Sequence, residues 1–200
     1  MINRNLAFCI GIFLIFSHKV IAEPLSHKNL GLIYTEAKSD DLDASGYGLE
    51  AEILIWDHLI LGGYLASAKN KSGLESVDSV NSRFIGIVAS IVTSISESTE
   101  VYGGMDLSRV KTESETGYGS LSGSVIHKDF FVGLGFSTHS AYELSFDIYR
   151  DISEYDSETL LKTAGRYFLN NEVSVGLKYD LSTSNSSYSD VGLSFRYDFN

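Results

Sequence analysis

A single cysteine and a single proline stand among 200 residues, and cations are scarce, with 15 Lys and Arg against 26 Asp and Glu. Cys9 lies in the N-terminal segment MINRNLAFCIGIFLIFSHKVIA. That segment has a basic start at Arg4, an apolar run from Leu6 to Phe16, and Val20-Ile21-Ala22 with small residues where a signal peptidase reads. Roughly 11 apolar residues are too few to cross a bilayer as a helix, so the segment reads as a secretory signal peptide cleaved after Ala22. Phe8, rather than a small residue, precedes Cys9, which argues against a lipidated cysteine. Residues 23–200 are then one domain with no thiol and no disulfide staple.

The shortage of positive charge excludes a second class. Without Arg4 and Lys19 the mature chain keeps 13 basic residues against 26 acidic ones, a net charge of −13, so no nucleic acid partner is expected. The third shortage is apolar length. After residue 22 no stretch reaches the ~18 unbroken apolar residues of a membrane helix, so any crossing must be made by strands. Against these absences stand 12 Tyr and 18 Gly. Tyr favours strands and polar-apolar boundaries, and Gly supplies turns.

A two-residue period runs through the chain and is clearest at its end. In Glu172 to Leu181, Val173, Val175, Leu177, Tyr179 and Leu181 share one face, and Ser174, Gly176, Lys178 and Asp180 the other. In Asp190 to Asn200, Val191, Leu193, Phe195, Tyr197 and Phe199 alternate with Gly192, Ser194, Arg196 and Asp198. Such strands have the ~9–11 residues that cross a bilayer at a tilt. Earlier segments repeat the pattern, near residues 29–38, 46–56, 100–110, 129–137, 141–151 and 159–169. Those near 59–69 and 82–95 are apolar on both faces and cannot be oriented from their pattern. The spacing predicts an all-β, closed antiparallel up-and-down transmembrane barrel of about ten strands, with eight as the alternative.

Connections near 39–45, 70–80, 112–128, 152–158 and 183–189 read as longer and polar. Those near 57–58, 96–99, 138–140 and 170–171 read as tight, with Asn170-Asn171 suited to positive φ. Alternation of this kind gives one short-turn rim, carrying both termini, and one long-loop rim. The polar faces hold Glu50, Glu52, Asp106, Glu143, Asp147, Asp180 and Asp198 with Lys162, Arg166, Lys178 and Arg196. In a soluble barrel or sandwich these would lie outside. In a membrane barrel they line the lumen as an ion-pair network while the apolar set meets lipid. Tyr34, Tyr47, Tyr142, Tyr167, Tyr179 and Tyr197 are candidates for the interfacial girdles.

The whole mature chain, from LGLIY to the final GLSFRYDF, resembles the small outer-membrane β-barrel proteins of Gram-negative bacteria, the group that includes the OmpA-type membrane domain and opacity-like barrels. The resemblance implies a place in the bacterial outer membrane among lipid and lipopolysaccharide. It also implies a C-terminal signal for the barrel-assembly machinery, matched by Phe195, Tyr197 and Phe199, with Asn200 one residue past the usual terminal aromatic. The role it leaves is structural or surface-interacting with the lumen plugged by ion pairs. A narrow porin-like channel for small solutes is the alternative.

Catalysis has thin support. His139-Ser140 falls in a tight turn, and an outer-leaflet lipid enzyme would need His127 beside Ser122 or Ser124 and a carboxylate. The acidic runs Asp40-Asp41-Asp43 and Asp151/Glu154/Asp156/Glu158 lack the spacing of a calcium loop. No enzyme activity, cofactor or metal is expected, and the sequence says nothing of oligomeric state.

Overall fold

The computed structural model describes residues 27–38, 42–72, 77–138, 141–153, 157–183 and 189–199, and the leader and the His139-Ser140 pair lie outside them. Ten strands follow one another: β1 (Asn29–Lys38), β2 (Leu42–Ile55), β3 (Leu59–Ser72), β4 (Val77–Ser96), β5 (Thr99–Thr116), β6 (Gly119–Thr138), β7 (Tyr142–Ile152), β8 (Ser157–Phe168), β9 (Val173–Ser182) and β10 (Ser189–Asp198). Each pairs antiparallel with its neighbours in sequence, and β1 closes on β10 with Asn29 opposite Asp198. Closure leaves no open sheet edge within the barrel, which is the condition for crossing hydrocarbon with strands.

The faces are inverted relative to a soluble protein. Among the described residues, Ile60 and Val92 are the buried hydrophobics, whereas Asp106, Glu143, Asp180, Asp190, Arg196 and Asp198 are buried and charged. Large apolar side chains face outward on every strand, with Leu32 at 56%, Ile87 at 63% and Leu193 at 59% exposed. The six tyrosines assigned to girdles fall on the outward positions; Tyr142 and Tyr167 pair at 5.1 Å near the rim that carries the chain ends. The C-terminal Phe195, Tyr197 and Phe199 also point outward, and the last two meet edge to face at 5.1 Å.

The structure orients β3 and β4, which the pattern left open. Ile60, Tyr64 and Ala66 face the lumen opposite Ser90, Gly86 and Phe84, and Leu61, Leu65, Ile85 and Ile87 face outward. These two strands are apolar on both sides because their lumen face carries Ile60, Phe84, Val88 and Val92 instead of charge.

Three expectations about connections are corrected. Residues 112–128 are not a loop: β5 and β6 stay paired up to Thr116 opposite Gly119, around a two-residue tip at Gly117 and Tyr118. Ser, Gly and Glu content suggested a loop, yet both faces of this hairpin are wet, so polar residues are tolerated on each. At this hairpin the rim is therefore raised by strand length, 18 to 20 residues in β4, β5 and β6, rather than by a long loop. At the tip the Thr116 hydroxyl donates to the Gly119 carbonyl at 2.7 Å, and Gly119 takes φ 136°, a value that favours glycine. Finally, Asn170 and Asn171 do not use positive φ. Asn170 Oδ1 instead accepts from the Glu172 and Val173 amides, both at 2.8 Å, and among the described residues Trp56 is the non-glycine with positive φ.

Interior glycines seat the large side chains of neighbouring strands. A Cβ on Gly86 would fall 2.4 Å from the Tyr64 ring, so the tyrosine lies flat over the glycine and reaches Asp106. Gly86→Leu is expected to push Tyr64 off this seat and lower stability by about 1–3 kcal/mol, read as a lower urea midpoint for the folded barrel in detergent.

Candidate functional site: an acidic lumen

Alternation in the paired strands places all eleven sequence-predicted charges on the lumen face. At the rim that carries the termini they form a tight group. Glu143 on β7 accepts from Arg166 of β8 at 2.8 Å and from Arg196 of β10 at 3.2 Å, and Arg196 lies 2.8 Å from Asp198. Asn29 donates to Glu52 at 3.0 Å beside this group, and His27 meets Glu100 at 3.0 Å.

Midway along the barrel the wall becomes aromatic. Phe131 and Tyr149 stack at 4.8 Å, and the Lys162 ammonium sits 3.6 Å over the Tyr149 ring. Lys162 forms no ion pair among the described residues; the cation is held by the ring face instead. Tyr102 donates to Asp147 at 2.5 Å, and Tyr64 to Asp106 at 3.0 Å.

Nearer the tall rim, carboxylates outnumber everything else. Asp106, Asp129 and Asp151 lie on consecutive strands at directly paired positions, and so do Asp180 and Asp190. His127 contacts Asp151 at 2.9 Å, Ser182 donates to Glu158, and Lys178 lies 3.4 Å from Asp180. Asp106, Asp129, Asp180 and Asp190 each keep a buried oxygen with no hydrogen-bond partner.

Five lumen acids escaped the sequence reading: Glu100, Asp129, Asp151, Glu158 and Asp190. Glu100, Asp151, Glu158 and Asp190 sit near strand ends, where alternation is too short to assign a face, and Asp129, midway along β6, opens the part of that strand whose alternation is readable. With them, twelve lumen carboxylates among the described residues (Glu50, Glu52, Glu100, Asp106, Asp129, Glu143, Asp147, Asp151, Glu158, Asp180, Asp190, Asp198) face four cations (Lys162, Arg166, Lys178, Arg196). Ion pairing brings together Glu143, Arg166, Arg196 and Asp198, and separately Lys178 and Asp180; it does not reach Glu50, Asp106, Asp147 or Lys162. Opposite the crowded wall, β1 to β3 present Ala37, Ala44, Gly46, Gly48, Ala66 and Ala68. The space between is a cavity of about 730 Å³, lined from His27, Asn29 and Glu52 at one rim to Ala44 and Asn70 towards the other.

His127 and Asp151 supply two members of a hydrolytic trio, but Ser124 lies on the outer face, where it accepts from Arg109 at 3.3 Å. Among the described residues no group of three His, Cys, Asp or Glu could hold a metal ion. Residues 40, 41, 154 and 156 of the acidic runs lie outside the described residues.

No family model matches the sequence, and no curated protein does. Solved structures do. The translocator domain of the autotransporter NalP from Neisseria meningitidis is 10% identical with a TM-score of 0.51, over 96% of this chain and 93% of that one. The β domain of the Bordetella autotransporter BrkA is 10% identical with a TM-score of 0.50, over 88% of this chain and 100% of that one. The fold is that of the outer-membrane β-barrels. The KdgM porin is also similar, at 11% identity and a TM-score of 0.47 over 85% of this chain and 99% of that one. An apolar outer wall on this fold puts the chain in the bacterial outer membrane. A fold of this kind is a scaffold, and the fold alone selects no role.

Proposed function

We propose that this outer-membrane barrel is a narrow, cation-preferring channel for small solutes. The observation that carries the reading is the cavity lined by eight carboxylates and four cations, in a lumen whose wall carries twelve carboxylates in all among the described residues. A plug made of ion pairs needs the two signs to balance, because each buried charge left without a partner is costly. Four cations cannot neutralise twelve acids, so mobile cations from solution would complete the balance. A ring of acids in a low-dielectric wall also concentrates cations and repels anions.

Reconstitution into planar bilayers tests this. Discrete conductance steps are expected, with a reversal potential in asymmetric KCl whose sign reports cation preference. Asp106→Asn with Asp129→Asn is expected to move that potential toward zero without abolishing the steps. A folded barrel that gives no steps would return the lumen to a plugged, structural role. The tall β5–β6 hairpin favours surface interaction as the second reading, since Tyr118 at its tip is fully exposed.

A further inference from the structure

We infer that the outer wall of the barrel binds a membrane lipid with several acyl chains and a phosphorylated headgroup, seated against β1 to β5 just below the tall rim. Two independent features meet there.

The first is an ordered set of cations. On four consecutive strands the first outward side chain beyond the apolar belt is basic: Arg83 follows Ile85, Arg109 follows Leu107, Lys128 follows Phe130, and Arg150 follows Ile148. Lys111, the next outward residue of β5, lies directly opposite Arg83. The same step on β8, β9 and β10 brings Thr159, Thr183 and Ser189, and on β1 it brings Glu36. The cations are thus gathered into one sector of a chain whose formal charge is −11. Solvated surface cations in so acidic a chain would be expected beside carboxylates. Arg83, Arg109 and Lys128 instead form no ion pair among the described residues, while Lys111 is held by Glu113 at 2.6 Å.

The second is a groove of about 810 Å³ in the same wall. Its floor is apolar, formed by Leu32, Tyr47, Leu49, Leu65 and Ile85, and its upper lip is Arg83, Arg109 and Lys111. Acyl chains fit such a floor at the depth of the hydrocarbon, and phosphates would meet the guanidinium groups at headgroup level. A neutral lipid leaves the lip unused. A free anion leaves the floor unused.

The test uses the full mature barrel refolded in a neutral detergent, with folding verified by migration with and without boiling. Binding is read for lipid A and for the same lipid after removal of its phosphates. Wild-type protein is expected to hold lipid A roughly tenfold to a hundredfold more tightly than the dephosphorylated lipid. Arg83→Gln with Arg109→Gln and Lys111→Gln should erase that preference, and Lys28→Gln, at the opposite rim, should keep it. Millimolar inorganic phosphate should fail to displace the lipid. Equal binding of the two lipids by wild type, an unchanged preference in the triple variant, or displacement by phosphate would each overturn the inference. Should the triple variant not fold, the two-lipid comparison on wild-type protein decides alone. Conduction plays no part in this readout, so it stands or falls apart from the channel.

Discussion

Glu143→Leu is expected to lower the stability of the barrel by about 3–5 kcal/mol, the cost typical of removing one partner from a buried ionic group. Glu143 is 8% exposed and is the shared acceptor for two guanidinium groups on different strands. Deleting it leaves Arg166 with no carboxylate and Arg196, also buried, with only Asp198. Phe168, whose ring lies 5.8 Å from the Arg196 guanidinium, offers a weaker substitute. The urea midpoint for loss of the heat-modifiable band in detergent measures the effect. Combining Glu143→Leu with Arg166→Met should recover part of the loss, because the second substitution removes the stranded charge. A single variant as stable as wild type would mean that lumen water already solvates both arginines.

That group was legible in the sequence because Glu143, Arg166 and Arg196 fall in long, clean alternations, where a one-residue step changes the environment completely. Periodicity reports a face only when the two faces differ. In β3 and β4 both sides carry aliphatics, and in the upper halves of β5 and β6 both are wet and polar. The first pair therefore gives no orientation, and the second reads as a loop. Asp129 and Asp190 were missed for a related cause: each sits at the beginning of its alternation, with no preceding residue to fix its side.

The lumen space was harder still. Ala44, Gly46, Gly48, Ala66 and Ala68 are visible in the sequence as small residues, but whether they make a cavity depends on what stands across from them. Closure of β1 on β10 sets them opposite Lys162, Asp180 and the Tyr149 shelf, a relation no local pattern contains. Function follows the same division. The sign of each face is written locally, whereas the ratio of acids to cations around a shared axis, which carries the channel reading, emerges only when all ten strands are counted together.

Inversion of the faces itself makes the other large prediction, through two adjacent residues of β4. Ile87 is 63% exposed on the outer wall between Gly63 and Leu107, and Val88 lines the lumen opposite Asp106. Ile87→Arg puts a guanidinium into hydrocarbon near mid-belt and is expected to cost about 2–4 kcal/mol. Val88→Arg sends the same group into the cavity, where the unpartnered Asp106 oxygen can accept it, so its cost should stay within about 1 kcal/mol and the cation preference of the pore should weaken. Urea midpoints of the two variants in the same detergent give the comparison directly. A water-soluble barrel would reverse the order, tolerating arginine at 87 and rejecting it at 88.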